Sequence, residues 1–414
     1  MLHENLMDEV LSNENLMAAY KKVCTNKGAA GVDGMTTIQL GKHLKTHWEK
    51  IKAKIKEGKY KPAAVKGVQI PKKDGGIRQL GIPTCQDRFI QQAIAQKLNE
   101  KIDHKMHKYS YGYRPGRSAH DAITRAGYFV QQGKTWVIEL DIKAFFDHVN
   151  HDILMARIAK EIRDKTVLKL IGGYLRAPMM QGNHRIKRDK GTPQGGPLSP
   201  ILANIYLDEL DKEMDKRKLN FCRYADDINI YVGSERSGQR VLASLSKWIE
   251  KHLRLTVHPE KSQVIRPWDG NFLGFSIQED GRADISKPSM KRYKDRVREL
   301  WHANQGMTSK QLVAKWREYI LGWWNYFCIA NTDVKRVSGW TRRHIRKCFW
   351  QRWKSKKGRM RNLAKLGVSP RRLKRVKYYG SAWRAAKHAV MHTALNNKTL
   401  LKYGLITPAD LATQ

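Results

Sequence analysis

Residues 221–232, Phe-Cys-Arg-Tyr-Ala-Asp-Asp-Ile-Asn-Ile-Tyr-Val, constrain this chain more than any other stretch. Apolar and β-favouring residues flank two adjacent aspartates, which predicts two short strands meeting at Ala225-Asp226-Asp227. A second apolar run, residues 136–142, is expected to be a strand ending in Asp141. Acids at strand ends are ordinarily turn formers. Three features point elsewhere here. Each Asp follows apolar residues rather than Gly, Pro or Ser, and the flanking strands are too hydrophobic for surface edges. The chain is also so basic that carboxylates converging in its interior need a compensating cation. Magnesium suits that role, because it takes oxygen ligands and bridges to phosphates. Two such ions, about 3.5–4 Å apart, would activate a 3′-hydroxyl and stabilise a pyrophosphate leaving group.

The charge is the second constraint. Lys plus Arg number 79 against 38 Asp plus Glu, a net of +41 with a pI near 10.1. Such an excess calls for a polyanion, and nucleic acid is the expected one. An anionic membrane is the other, but no apolar run approaches the ~20 residues a span requires. Residues 1–20 carry acids inside their apolar pattern, unlike a signal peptide. A chain of 414 residues predicts two or three domains, and 41% hydrophobic content excludes a disordered tail protein. Cysteines at 24, 85, 222, 328 and 348 form no CxxC pair, which excludes the usual zinc patterns and a disulfide framework. They fit a reducing cytoplasm.

Charge is not spread evenly. Residues 287–414 hold 31 Lys/Arg against 5 Asp/Glu, and eight of the twelve Trp: 301, 316, 323, 324, 340, 350, 353 and 383. The Trp residues read as core at helical spacing. A solvated face would be mixed in sign, so the tail is expected to bind nucleic acid.

Periodicity predicts one or two short helices before residue 23, a helix over 36–57, and strand-like segments at 65–70 and 76–82 around the turn at 73–76. Helices are expected over 87–108 (Phe89, Ile90, Ala93, Ile94 and Leu98 on one face), 119–132, 151–162, 166–175, 201–217 and 239–253. Residues 272–277 read as strand and the remainder as helix, broken near Gly306, Gly358 and Gly380. The whole is an α+β block followed by a basic helical module.

Here the residues carry a resemblance. Tyr224-Ala225-Asp226-Asp227 resembles the reverse-transcriptase active-site box, and Asp141 its first carboxylate. The family's other segments follow in order: Ile70-Pro71-Lys72 with Gly75-Gly76-Ile77-Arg78, residues 110–118 (SYGYRPGRS), Phe145-Phe146-Asp147, residues 191–200 (GTPQGGPLSP) and Phe272-Leu273-Gly274-Phe275. Residues 320–327 (ILGWWNYF) resemble the maturase signature of group II intron-encoded proteins, most like the compact group IIC type. The resemblance implies a right-hand polymerase: an N-terminal extension over 1–60, fingers and an antiparallel palm sheet over 61–286, and an all-α thumb/maturase domain over 287–414. It implies an RNA-directed DNA polymerase of a mobile intron that also assists splicing by binding intron RNA. Runners-up are a domesticated relative in phage defence or DNA repair, a splicing factor that no longer polymerises, and an RNA-templated RNA polymerase.

The resemblance also assigns roles. Asp141 and Asp226 ligate two Mg2+ ions, Asp227 supports them, and the Ile142 main chain adds a ligand. Lys72 and Arg78 hold the triphosphate of a deoxynucleotide. Phe145 is the gate beneath the deoxyribose, with Phe146 second. Gln194, Gly195 and Gly196 approach the nascent base pair, Lys261 helps at the phosphates, and Leu273 and Gly274 hold the primer end. Arg114, Arg117, Arg342, Arg343 and Arg346 are expected on RNA or primer–template. His148 and His151 share HxxH spacing and are assigned no metal. Partners are intron RNA, the primer–template duplex and deoxynucleotides, with no membrane, in a monomer or homodimer. The place of action is the bacterial cytoplasm, at the nucleoid when DNA is the target. The family's nuclease-bearing members continue into an HNH endonuclease that this sequence does not show, so it is expected to extend existing 3′ ends.

Overall fold

The computed structural model describes residues 5–71, 76–303, 306–374 and 381–413. Lys72, the expected turn at 73–76 save Gly76, and the break at Gly380 lie outside them. The chain forms two compact units, Met1–Pro267 and Trp268–Gln414, dividing ahead of the expected boundary at 286.

The first unit holds two four-stranded sheets. Strands β1 (Val65–Pro71) and β2 (Ile77–Ile82) pair antiparallel, as the sequence predicts. Strand β3 is Trp136–Asp141, and two three-residue strands follow: β4 (Met179–Gln181) and β5 (His184–Ile186). These join the hairpin in the order β2-β1-β4-β5, with β1 parallel to β4. The second sheet is wholly antiparallel, ordered β6-β7-β3-β8, with β6 at Asn220–Tyr224, β7 at Asp227–Val232 and β8 at Gln263–Ile265. Ile138, Leu140, Ile228 and Ile230 share one face of its central strands and are buried.

Helix starts follow side-chain caps. Thr84 accepts from the Asp87 amide, so the helix Cys85–Ile102 begins ahead of the predicted Asp87. Ser234 likewise starts Glu235–Leu253 four residues before the expected Gln239. Cys85–Ile102 is buried nearly all round rather than on one face, and Asp87, Arg88, Gln91 and Gln92 are buried with its apolar residues. It packs with the helix Asn13–Thr25 into one core that also takes in the helix Ser199–Lys216.

The second unit is helical apart from a hairpin of β9 (Phe275–Ile277) and β10 (Ala283–Ile285). Its long helices are Lys287–Leu300, Ser309–Phe327 and Val334–Arg352. Trp301, Trp316, Trp323 and Trp350 are buried, as the core reading predicts. The Trp316 indole donates to the Ile406 carbonyl at 2.7 Å, so a polar N–H is satisfied inside the core. All five cysteines are unpaired, and Cys85, Cys222 and Cys348 are buried. Among the described residues, no helix is long and apolar enough to cross a membrane.

Candidate functional site

Strand register brings the three acids to one end of the β3–β7 pair. Asp141 is the register partner of Asp227, which also pairs with Tyr224 across the β6–β7 turn. Asp226 lies in that turn. Residues opposed across an antiparallel pair share a face with Cβ atoms about 4.5–5.5 Å apart, so Asp141 and Asp227 are neighbours. Ala225 enters the turn at φ +59°, a left-handed conformation costing roughly 1–2 kcal/mol for a residue with a Cβ.

The chain fixes Asp141 from a distant segment. Its amide donates to the Ser262 hydroxyl at 3.0 Å, and its carbonyl accepts from the His258 amide at 2.8 Å. Ile142 bridges to Val257. Both ends of the Asp141 peptide are therefore held by residues 256–262, and its carboxylate has little backbone freedom.

A cleft of about 1110 Å³ opens over Asp141 and Asp226. Asp141, Ile142, Phe145, Phe146, Gln194, Gly195, Gly196, Asp226 and Lys261 all line it, bringing together nine of the residues singled out by sequence. The Gly81 amide donates to the Gln194 carbonyl at 2.9 Å, tying strand β2 to this loop. Gly195 stands at φ +129°, and a Cβ there would lie 2.9 Å from the Gly81 carbonyl oxygen, so a side chain is excluded twice over.

The two candidate gate rings differ in burial. Phe145 is only 2% exposed and packs edge-on against Phe146 and more loosely against Tyr206. Phe146 is half-buried on the same cleft. Ala144, at φ +45°, caps the short helix Phe145–His148. Phe145 is the more buried of the two rings and Phe146 the more exposed, and both line the cleft together with Tyr113.

Several expected nucleic-acid contacts also change. Arg114 is 7% exposed, pairs with Asp103 at 2.7 Å and donates to the carbonyls of Asp103, His107 and Ser110. Arg346 is 5% exposed, with Nε donating to the Leu395 carbonyl at 2.9 Å. Arg342 pairs with Asp410 at 2.6 Å, and the Arg343 guanidinium lies 3.6 Å from the Trp383 ring centre. All four join parts of their own unit; Arg114 and Arg346 are buried, while Arg342 and Arg343 stay half-exposed. Arg117 stays exposed, beside Tyr111. Leu273 at φ +51° and Gly274 at φ +87° form a tight bend in the second unit, where Tyr326 donates to the Leu273 carbonyl at 2.8 Å. Arg78 pairs with Ile70 through β1 and β2.

His151 is buried, and its Nε2 lies 2.7 Å from the Gly191 carbonyl; burial holds its pKa below the ordinary value. It braces the 191–196 loop. Sequence reasoning missed Lys22, Asn26, Arg88, Gln92 and His258, which also line the cleft. A signal existed for two of them, since Arg88 and Gln92 stand beside the apolar positions 89, 90, 93 and 94 of a helix expected to pack into the core. Nothing local marked His258 or Ser262.

Two half-exposed carboxylates opening on a cleft suit a hard cation that keeps positions for phosphate oxygens. Among the described residues no group of three or more His, Cys, Asp or Glu side chains is gathered closely enough to hold a metal ion by itself.

Residues 70–277, half the chain, match the reverse transcriptase (RNA-dependent DNA polymerase) family, and residues 290–367 match the group II intron maturase-specific domain. Protein YkfC of Escherichia coli (strain K12) is 29% identical over 66% of this chain and 83% of its own length. The group II intron-encoded protein LtrA of Lactococcus lactis subsp. cremoris is 38% identical over 50% of this chain, a match spanning 34% of LtrA. Among solved structures, telomerase from Candida albicans aligns over 80% of this chain and 67% of that one, with a TM-score of 0.47 and 12% identity. Carboxylates in strand register, a cleft walled by the Gln194–Gly196 loop, and a family match running unbroken through both lead to one conclusion: the chain belongs to the reverse transcriptases and carries a group II intron maturase-specific domain.

Proposed function

We propose that this protein is an RNA-directed DNA polymerase of a mobile group II intron that also binds the intron RNA and assists its splicing. The observation that carries the polymerase reading is the placing of Asp141 and Asp226 on one cleft with Phe146, Gln194 and Gly195. Asp141, Asp226 and the Ile142 carbonyl would hold two Mg2+ ions, with Asp227 buttressing Asp141 across the sheet. Bound there, the metal supplies Lewis acidity toward the primer 3′-hydroxyl and the departing pyrophosphate.

The protein's own groups do the rest. The Gly195 backbone leaves room for a base pair to lie close to the chain. Phe146 supplies a flat ring where a ribose 2′-hydroxyl would collide. Lys261 faces the cleft as a cation for phosphate, and Lys72 and Arg78 belong to the hairpin that would cover the triphosphate. In the second unit, Leu273 and Gly274 would support the primer end. Its excess of Lys and Arg supplies the charge for intron RNA. Arg117 remains the template-side contact of the first unit. The reading places the protein in the bacterial cytoplasm.

The test is primer extension on an RNA template. Asp226→Asn should lower the rate by about a thousandfold or more, removing a charged metal ligand, while RNA affinity changes little. Undiminished extension by that variant would remove Asp226 from the centre. In the same assay Phe146→Ala should raise ribonucleotide use relative to deoxynucleotides, whereas Phe145→Ala should lower the melting temperature.

A further inference from the structure

The turn carrying Asp226 rests on a polar platform that no role above requires. Arg223, the residue two before Ala225, is 0% exposed, as is its partner Asp211 on the helix Ser199–Lys216. The guanidinium has five N–H donors, and five acceptors meet it. Nε donates to Asp211 Oδ1 at 2.7 Å and Nη2 to Asp211 Oδ2 at 2.5 Å. Nη2 also reaches Ser110 Oγ at 2.7 Å. Nη1 donates to Asn204 Oδ1 at 2.9 Å and to the Ala225 carbonyl at 3.0 Å. The last bond is the informative one, because it fixes the carbonyl of the left-handed residue that joins Tyr224 to Asp226.

The underside of the turn is closed too. Asn204 uses its amide to donate to the Gly112 carbonyl at 2.8 Å. A Cβ at Gly112 would stand 2.3 Å from the Ala225 amide nitrogen, so this loop packs against the turn as backbone on backbone. The loop is pinned in place: the Tyr111 amide donates to the Arg223 carbonyl at 2.8 Å, and the Arg223 amide to the Tyr109 carbonyl at 3.0 Å.

Stability alone does not account for such a pair. Apolar residues of similar volume commonly replace a buried ion pair at no loss of stability. What apolar residues cannot do is hold one carbonyl at a fixed angle in a turn that would otherwise relax out of the left-handed region.

We propose that Arg223, with Asp211 and Asn204, is a positioning unit that locks the Ala225 carbonyl and thereby aims the Asp226 carboxylate at the divalent cation. None of the three residues lines the cleft, so they act through Ala225 and not on substrate. The inference rests on the polymerase reading of Asp226. Magnesium demands near-ideal octahedral ligands at 2.0–2.1 Å, so a carboxylate swinging by a few tenths of an ångström should be felt in metal affinity before it is felt in folding.

The test compares wild type, Asp226→Asn, Arg223→Lys, Asn204→Ala and, as a control of similar burial remote from the turn, Asp87→Asn. Each is bound to a primer–template ending in a dideoxynucleotide, and Mn2+ affinity is measured by electron paramagnetic resonance. Extension is followed in parallel against Mg2+ and Mn2+. Arg223→Lys keeps the charge but loses the fork. It should weaken Asp226-dependent Mn2+ binding by about tenfold, raise the half-saturating Mg2+ by a similar factor and lower kcat with little change in deoxynucleotide KM, Mn2+ restoring most of the rate. Asn204→Ala should do the same more mildly, and it decides the matter if Arg223→Lys does not fold. Asp87→Asn should lower the melting temperature without moving metal affinity. Folded Arg223→Lys and Asn204→Ala proteins with wild-type Mn2+ affinity and an unchanged Mg2+/Mn2+ ratio would overturn the positioning role. Wild-type protein showing no Asp226-dependent Mn2+ binding would overturn the polymerase reading itself.

Discussion

The two units hold several of their buried and half-buried arginines differently, with exceptions on both sides, among them Arg88 of the first, which donates to the Ala29 carbonyl, and Arg342 of the second, which pairs with Asp410. In the first, the guanidinium groups of Arg223 and Arg114 meet carboxylates, Asp211 and Asp103. In the second, Arg346 meets the Leu395 carbonyl, Arg352 the Met307 carbonyl, Arg359 the Trp350 carbonyl, and Arg343 the Trp383 ring. Acid supply explains the contrast, since residues 268–414 hold 32 Lys/Arg against 9 Asp/Glu. A chain short of carboxylates satisfies buried cations with main-chain oxygens and indole faces. A count of positive charge therefore overstates what is left for a ligand, and it does so most where the count is highest.

This contrast can be broken by removing one partner on each side. Asp211→Ala strips a fully buried arginine of its counter-ion and should cost about 3–5 kcal/mol of stability. Arg346→Met removes a charged donor from a carbonyl that Asn397 and the apolar surroundings can partly accommodate, and should cost about 1–3 kcal/mol. Urea unfolding followed by tryptophan fluorescence measures both. Equal losses would mean that carbonyl-held arginines are as firmly committed as ion-paired ones.

A smaller effect sharpens the comparison through pH. His344 is buried between Trp340 and Trp383, with ring centres at 4.2 and 4.8 Å. Burial, and then Lys347, Arg298 and Arg343, lower its pKa from 6.5 to about 4. The unfolded chain thus binds the proton first as pH falls. The stability due to neutral His344 is complete above about pH 6.5 and is lost as pH drops toward 4, on the order of 2–3 kcal/mol over that window. His344→Phe keeps the ring and should flatten the acid limb of the melting curve between pH 7 and 5. A variant as acid-sensitive as wild type would place the titration elsewhere.

The sequence discloses most of what linear motifs encode and little of what long-range packing decides. Strands β3, β6 and β7 were legible because apolar runs end in acids, and the register then delivered Asp141 to Asp227. Strands β4, β5, β8 and β10, three residues each, carry too little periodicity to be seen. Within the site, Asp141, Gln194, Gly195 and Asp226 came together as motif order implied. Phe145 and Phe146 both line the cleft, and only the fold shows that the first is the more buried. Arg114 and Arg346 look like any other cation in a basic chain, and only burial separates them. Ser262 fixes Asp141 from 121 residues away, a contact that no local pattern announces.

The smallest expected effect tests what remains of the charge. If Asp410, the Trp383 ring and the Leu395 carbonyl have claimed Arg342, Arg343 and Arg346, RNA contacts in the second unit must come from cations that face solvent, such as Lys354, Lys356 and Lys357. Each phosphate neutralised contributes a slope of about −0.7 to −0.9 to log K against log[salt]. Changing those three lysines to Gln should flatten the slope by about 2 and leave the melting temperature where it was, if each meets one phosphate. The three arginines changed together should lower the melting temperature first, with a change in slope only as the unit loosens. Intron RNA binding measured between 50 and 300 mM salt, beside a melting curve for each variant, separates the two sets. A flattened slope from the arginines at an unchanged melting temperature would show that their intramolecular partners release them to RNA. The second unit would then hold its cations in reserve rather than in structure, and the contrast with Arg223, whose partner is a buried carboxylate, would be one of exchangeability.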